Sequence, residues 1–259
     1  MMKKMLLGLT AVATLGISGC ATMADFAGVD SQQLNAQAGQ SFNALVSQAG
    51  QKGQLDTTSA TSKRINAVFN RLRPYANQMN QTGLPFQWQL AVLKSNDINA
   101  MVAPGGKVLF YTGIVDRLKL TDAEIAAIMG HEMVHALEEH AKQKIGAQAL
   151  TNIALQVGLN QVGGGVSDST AQLAQLGSQI GIGLPYSRSL ETRADQGGLF
   201  LMARAGYNPQ AAITLWEKMN RAEGSSPAFL STHPSNSQRI AAMREHLPAA
   251  LQIYNQNRK

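Results

Sequence analysis

Apolar positions recur along the chain with two different periods. Leu34, Ala38, Phe42, Leu45 and Val46 fall near a 3.6-residue spacing and predict one weak amphipathic helix, inside a Gln-, Ala-, Ser-, Thr- and Gly-rich stretch that otherwise reads as a tether. A stronger helix follows, because Ile65, Val68, Phe69 and Leu72 stand at i, i+3, i+4 and i+7; Pro74 is expected to limit it. The pattern then changes to that of strands at residues 86–93 and 108–115, separated by residues 99–107 with the turn Pro104-Gly105-Gly106. No later segment reads as a strand. Thr121 and Glu124 form a T-x-x-E capping box that opens a long helix through about residue 144. Another helix is expected from about residue 188 to 204, stopped at Gly206, and Asn208-Pro209 caps the next. Ser235 and Gln238 form a second capping box for a final helix ending near His246. Residues 147–182, interrupted by Gly163-Gly164-Gly165, read as two short helices or a flap, and Gln156, Asn160 and Gln161 argue against a membrane span there. The expected fold is α+β and mainly helical.

The first residues carry a different signal. Lys3 and Lys4 precede a thirteen-residue apolar stretch, Met5 to Ile17, followed by Ser18-Gly19-Cys20. That is too short for a spanning helix, which needs about 20 apolar residues, and reads as a secretory signal. Ser18-Gly19-Cys20 resembles a bacterial lipobox. The resemblance implies removal of residues 1–19 and lipid attachment at Cys20, which leaves residues 20–62 as a lipidated tether and residues 63–259 as the folded domain. Ala21 after the cysteine implies sorting to the outer membrane, facing the periplasm. Net charge +6 and pI near 9.5 are compatible with nucleic acid or an anionic surface. Loss of the two lysines with the signal lowers the side-chain charge to +4. No compact basic stretch with interleaved aromatics is present, so a nucleic-acid partner is not expected. The single cysteine excludes an intrachain disulfide and a cysteine-rich metal site, so any metal must be held by His, Asp or Glu.

Such residues occur in a pattern. His131-Glu132-Met133-Val134-His135 lies within the capped helix, and residues four apart project from one face, so both imidazoles can reach one ion. A catalytic zinc site needs a third protein ligand and an open position. In Glu191-Thr192-Arg193-Ala194-Asp195 the two carboxylates are again four apart, so one can bind metal while the other accepts a hydrogen bond from a ligand imidazole. His140, five residues beyond His135, would sit about 140° around a continuous helix, off that face.

These motifs, with Tyr186-Ser187-Arg188-Ser189-Leu190 before Glu191, Ala205-Gly206-Tyr207, and Thr232-His233-Pro234-Ser235 with Arg239, resemble the HtpX-like and prenyl-endopeptidase family of zinc metallopeptidases, in its lipoprotein branch. The resemblance implies a zincin-like fold with a small sheet beside the H-E-x-x-H helix. It also implies one zinc held by His131, His135 and Glu191, with Glu132 as general base. Asp195 and Arg239 then support the ligands. His233 is either an electrophile for the oxyanion or a fourth zinc ligand in a resting state. An edge strand over Asn99-Ala100-Met101-Val102-Ala103 would bind the peptide, with Asn99, Ala100 and Met101 as its contacts. The expected function is a lipid-anchored periplasmic zinc endopeptidase acting on unfolded or misassembled envelope proteins, with outer-membrane proteins among its partners. The alternative is a metal-dependent chaperone or assembly scaffold with minor proteolysis.

Overall fold

Asp30 accepts a hydrogen bond from the Gln33 amide at 2.7 Å and opens helix α1, Ser31–Gln51. The computed structural model describes residues 24–25, 27–149, 185–221, 228–233 and 237–258; the signal peptide, Cys20, Pro234, Ser235 and residues 150–182 of the expected flap lie outside them. The segment read as a tether thus carries a 21-residue helix, whose Phe42, Leu45, Val46 and Ala49 pack with Ala91, Leu93 and Leu109 of the sheet. Helix α2, Ala60–Met79, buries Ile65, Val68, Phe69 and Leu72, as their spacing predicts. Pro74 does not end it. The proline forfeits one backbone hydrogen bond, but Ala76 is buried and Tyr75 and Met79 pack on the core, which holds the last turn in place.

Three short strands follow, β1 (Gln89–Leu93), β2 (Ala100–Ala103) and β3 (Lys107–Tyr111), in the order β1-β3-β2. β1 runs parallel to β3, pairing Gln89 with Lys107; β2 runs antiparallel to β3, pairing Ala100 with Phe110. The β2–β3 turn needs Gly105 and Gly106 at φ +73° and +82°. A Cβ at Gly106 would also lie 2.6 Å from the Trp88 ring. The strand expected over 108–115 stops at Tyr111 and gives way to helix α3, Thr112–Leu118. Gly113 there lies so close to the backbone of Asn96 and Asp97 that a Cβ would meet it at 2.5–2.6 Å, and Ile114 and Val115 are buried from the helix. A short apolar run does not distinguish the two states by periodicity.

Helix α4, Asp122–Leu137, runs through the middle of the domain between α2, β2 and the later helices, and is buried from Glu124 onward. Its capping box forms as expected: the Thr121 amide donates to Glu124 Oε2 at 2.8 Å and the Glu124 amide to Thr121 Oγ1 at 3.3 Å. Lys218 Nζ adds an ion pair to Glu124 Oε2 at 2.7 Å. Burial pushes the Glu124 carboxyl up, but the bonds from Lys218 and Thr121 outweigh it and hold the group below its ordinary value. A carboxyl depressed on folding contributes stability above its unfolded value near 4.5, which is lost as the pH falls through the folded value. Glu124→Gln is therefore expected to cost about 1.5–3 kcal/mol at pH 7. Thermal melting from pH 7 down to pH 3 should show the gap from wild type closing in acid.

The long helix expected through residue 144 breaks at Glu138–Glu139. Glu139 adopts φ +50° and its amide bonds the Ala136 carbonyl at 3.0 Å; helix α5 then occupies residues 140–149 in a new direction. Helix α6, Arg188–Arg204, is capped by Ser187 and followed by Gly206 at φ +74°. Asn208 Oδ1 accepts from the Gln210 amide at the start of α7, Gln210–Arg221. After α8, Ala228–Thr232, comes α9, Ser237–Asn257. α9 passes His246 and Pro248 because Leu247, Ala250, Ile253 and Tyr254 pack on the core. Helices α4 and α6 meet at Gly130 and Gly198: a Cβ on Gly198 would lie 2.7 Å from the His131 amide nitrogen. No helix among the described residues is long and apolar enough to cross a membrane.

Candidate metal centre

The contact at Gly130 and Gly198 brings one face of α4 against one face of α6, and the polar residues of both helices converge there. His131, His135, Glu191 and His233 are all buried, and one potential ligand atom from each lies within 4.8 Å of the others. His131 Nε2 is 3.0 Å from His135 Nε2 and 3.1 Å from His233 Nδ1; Glu191 Oε1 is 3.4 Å from His135 Nε2 and 3.0 Å from His233 Nδ1. Two-coordinate nitrogens aimed at one another this closely leave lone pairs facing a common point. The spacings are near the edge of a tetrahedron with 2.0–2.1 Å bonds, about 3.3–3.4 Å. Imidazole nitrogen with one carboxylate oxygen suits a transition-metal dication, whereas calcium and magnesium favour oxygen donors. The residues therefore fit a metal ion.

The surroundings hold these side chains in place. Asp195 Oδ1 lies 2.9 Å from His131 Nδ1, and Arg239 donates to Asp195 through Nε (2.6 Å) and Nη2 (2.7 Å) and forms an ion pair with Glu191 Oε2 through Nη1 (2.7 Å). Arg239 is itself buried, with its guanidinium over the Trp216 ring at 4.2 Å. Burial opposes ionisation of Glu191, but the neighbouring imidazoles of His135, His233 and His131 outweigh it and hold the carboxyl far below the usual range. Burial also keeps His135 well below the ordinary imidazole value, hence neutral, and does the same more weakly to His140. The Tyr186 ring stacks on His135, with centroids 4.2 Å apart.

Glu132, from the same helix as His131 and His135, points into the same space. Burial raises its carboxyl above the ordinary value, and the Val102 amide of β2 donates to it. Its Oε1, 3.3 Å from His233 Nε2, makes no hydrogen bond among the described residues. A buried carboxylate oxygen left open in this way is poised to accept a proton from something that enters.

The structure thus brings together His131, Glu132, His135, Glu191, Asp195, His233 and Arg239. Along the expected edge strand it is more selective. The Asn99 carbonyl accepts from Tyr111 of β3 and Met101 packs on the α1 side, so it is the backbone of Ala100 and Val102 that faces off the sheet. Val102 lies within the expected edge strand, although Asn99, Ala100 and Met101 were its expected peptide contacts. The bland reading of His140 is corrected: the break at Glu138–Glu139 turns the ring inward, and Nδ1 comes to 2.9 Å from His135 Nδ1. The glycine contact was missed as well, since Gly130 and Gly198 lie far apart in sequence.

The profile of peptidase family M48 matches residues 59–247. The chain is 34% identical over 212 residues to the mitochondrial metalloendopeptidase OMA1 of Schizosaccharomyces pombe, covering 81% of this chain and 59% of that protein. It is 30% identical over 193 residues to metalloprotease LoiP of Escherichia coli, covering 74% and 72%, and 30% identical over 193 residues to the beta-barrel assembly-enhancing protease of the same bacterium, covering 70% and 37%. The chain spans three fifths or less of the mitochondrial relatives it matches. Those relatives overturn the outer-membrane location expected from the N-terminus, because fission yeast, plant, budding yeast, bovine and human proteins with this domain are named as mitochondrial. The residues matched by the family profile lie beyond the leader that suggested the location and carry no such address. With that profile covering every side chain of the centre, the chain belongs to peptidase family M48.

Proposed function

We propose that the chain is a zinc metalloendopeptidase, with His131, His135 and Glu191 as zinc ligands and Glu132 as general base. The observation that carries the reading is Glu132 Oε1, buried and without a hydrogen bond beside a convergent His–His–Glu donor set. Zinc, when bound, polarises a carbonyl and lowers the pKa of water from 15.7 toward ~7. Glu132 takes the proton of the attacking water at Oε1 and delivers it to the departing amine; water is added across the peptide bond, whose C–N link breaks. Asp195 fixes the tautomer of His131 by accepting from Nδ1, so that Nε2 keeps its lone pair for the metal. His233, within 3.1 Å of two of the three ligands, completes the donor set in this conformation and must withdraw when substrate enters.

Substrate is held extended along β2, where the backbone of Ala100 faces off the sheet and its amide, now bonded to Asn99 Oδ1 at 3.0 Å, exchanges that partner for a peptide irrespective of its sequence. That suits unfolded or misassembled proteins as the substrate class, and the name of one relative, a beta-barrel assembly-enhancing protease, supports it. The same name favours a second reading, an assembly scaffold in which cleavage is minor. Lipid attachment at Cys20 and the division into residues 1–19, 20–62 and 63–259 rest on the sequence patterns alone. The test is metal analysis with casein digestion on the purified chain. One zinc per chain is expected, with cleavage abolished by a chelator and restored by zinc. Cleavage that survives complete removal of metal would refute the enzyme mechanism, and full zinc with no cleavage would favour the scaffold.

A further inference from the structure

His140 is fully buried, and the function above makes no use of it. Its Nδ1 lies 2.9 Å from Nδ1 of His135 and its Nε2 lies 3.1 Å from Oε2 of Glu138. That same Oε2 pairs with Arg193 Nη2, from the middle of the Glu191-Thr192-Arg193-Ala194-Asp195 segment. The protons in this row can be placed in only one order. His135 presents Nε2 to the other ligands, 3.0 Å from His131 Nε2, so for metal binding that nitrogen keeps its lone pair and Nδ1 carries the hydrogen. His135 Nδ1–H then donates to His140 Nδ1, which must be bare. His140 therefore holds its hydrogen on Nε2 and donates to the Glu138 carboxylate, which Arg193 holds from outside.

We propose that His140, with Glu138 and Arg193 behind it, is the positioning residue for His135, fixing the tautomer and ring plane in which Nε2 binds the metal. The inference rests on the reading of the centre as a metal site. It gives both histidine ligands the same kind of support by different routes. His131 reaches an arginine-held carboxylate directly, at Asp195 and Arg239; His135 reaches one through an interposed imidazole. Deleting a partner that orients a metal-binding histidine typically costs 10–100-fold in metal affinity.

The test is zinc affinity of the full chain by chelator competition, together with the visible absorption of the cobalt-loaded protein, for wild type, His140→Leu, His140→Asn and Glu138→Ala. Leucine fills the space but accepts no hydrogen bond, whereas asparagine is smaller but can place Oδ1 where Nδ1 stood. His140→Leu is expected to weaken zinc binding about 10–100-fold and to alter the cobalt spectrum. His140→Asn should recover most of the affinity, and Glu138→Ala should fall between. If the ring serves only to fill space, leucine will bind as tightly as wild type or more tightly than asparagine, and the proposal is overturned. Should His140→Leu fail to fold, Glu138→Ala decides at a half-exposed position: weaker zinc binding with an unchanged metal-free melting temperature supports the relay, and unchanged binding overturns it. Absence of bound zinc in the wild type would defeat the metal reading itself, whereas intact wild-type binding with an undisturbed His140→Leu defeats only the relay.

Discussion

Glu132→Gln is expected to lower the rate of peptide-bond cleavage by about 10²–10⁴-fold while leaving zinc content at the wild-type level. The substitution is nearly isosteric and removes only the capacity to accept a proton. Glu132 is buried beside His131 and His233 and receives the Val102 amide, a contact glutamine can keep through its carbonyl. Neutralising a carboxyl whose ionised form burial already disfavours should not harm the fold, so the melting temperature should hold or rise slightly. The measurement is casein digestion alongside metal analysis of the same preparation. Loss of zinc together with activity would place Glu132 among the ligands, and retained activity would remove it from the chemistry.

The second large effect belongs to Arg239. Its guanidinium faces two carboxylates, Glu191 and Asp195, and all three groups are buried. Arg239→Leu leaves both carboxylates without their cation, and breaking a buried pair from one side costs about 3–5 kcal/mol. For a chain of this size that corresponds to a fall in melting temperature of about 6–20 °C. The deficit should be larger in the metal-free protein than in saturating zinc, because a bound dication supplies positive charge to Glu191 and stabilises the folded state by mass action. Melting curves with and without zinc measure the difference. Arg239→Lys restores one charge but not the three-point fork, so it should recover only part of the loss. Equal melting temperatures for wild type and Arg239→Leu in the metal-free state would show that another cation balances the carboxylates.

What the sequence made legible is what local geometry determines. His131 and His135 share a face because four residues make about one helical turn, and the Thr121 box and Gly206 mark the ends of their helices by local hydrogen bonding and backbone freedom. The misplaced boundaries arise where packing overrides local preference. Pro74 and Pro248 lie within helices because the residues beyond them are buried, which local propensity cannot register. The bend at Glu138–Glu139 uses neither glycine nor proline, so nothing in Leu137-Glu138-Glu139-His140 announces that His140 turns back toward the centre. The motif leaves Arg239 to position its loop or to pair with either Glu191 or Asp195; that one guanidinium serves both carboxylates emerges only when α9 is laid against α6. The N-terminal leader shows the reverse hazard, a clear local signal whose implied address disagrees with the named location of relatives that share the catalytic domain.

The backbone contact between Gly130 and Gly198 also bears on how the centre can vary. In most protein cores the distance between two helices is set by the side chains interdigitated between them, so a substitution at the contact shifts the helices. Here the helices already touch through main-chain atoms one residue from the first histidine and seven from Glu191, leaving no side chain at that point to yield. The separation of the ligands is consequently insulated from drift elsewhere in the core. Sequence change can then accumulate across α2, α7 and α9, away from Trp216 and Arg239, without changing the separation of the ligand helices, provided those two glycines keep their hydrogens.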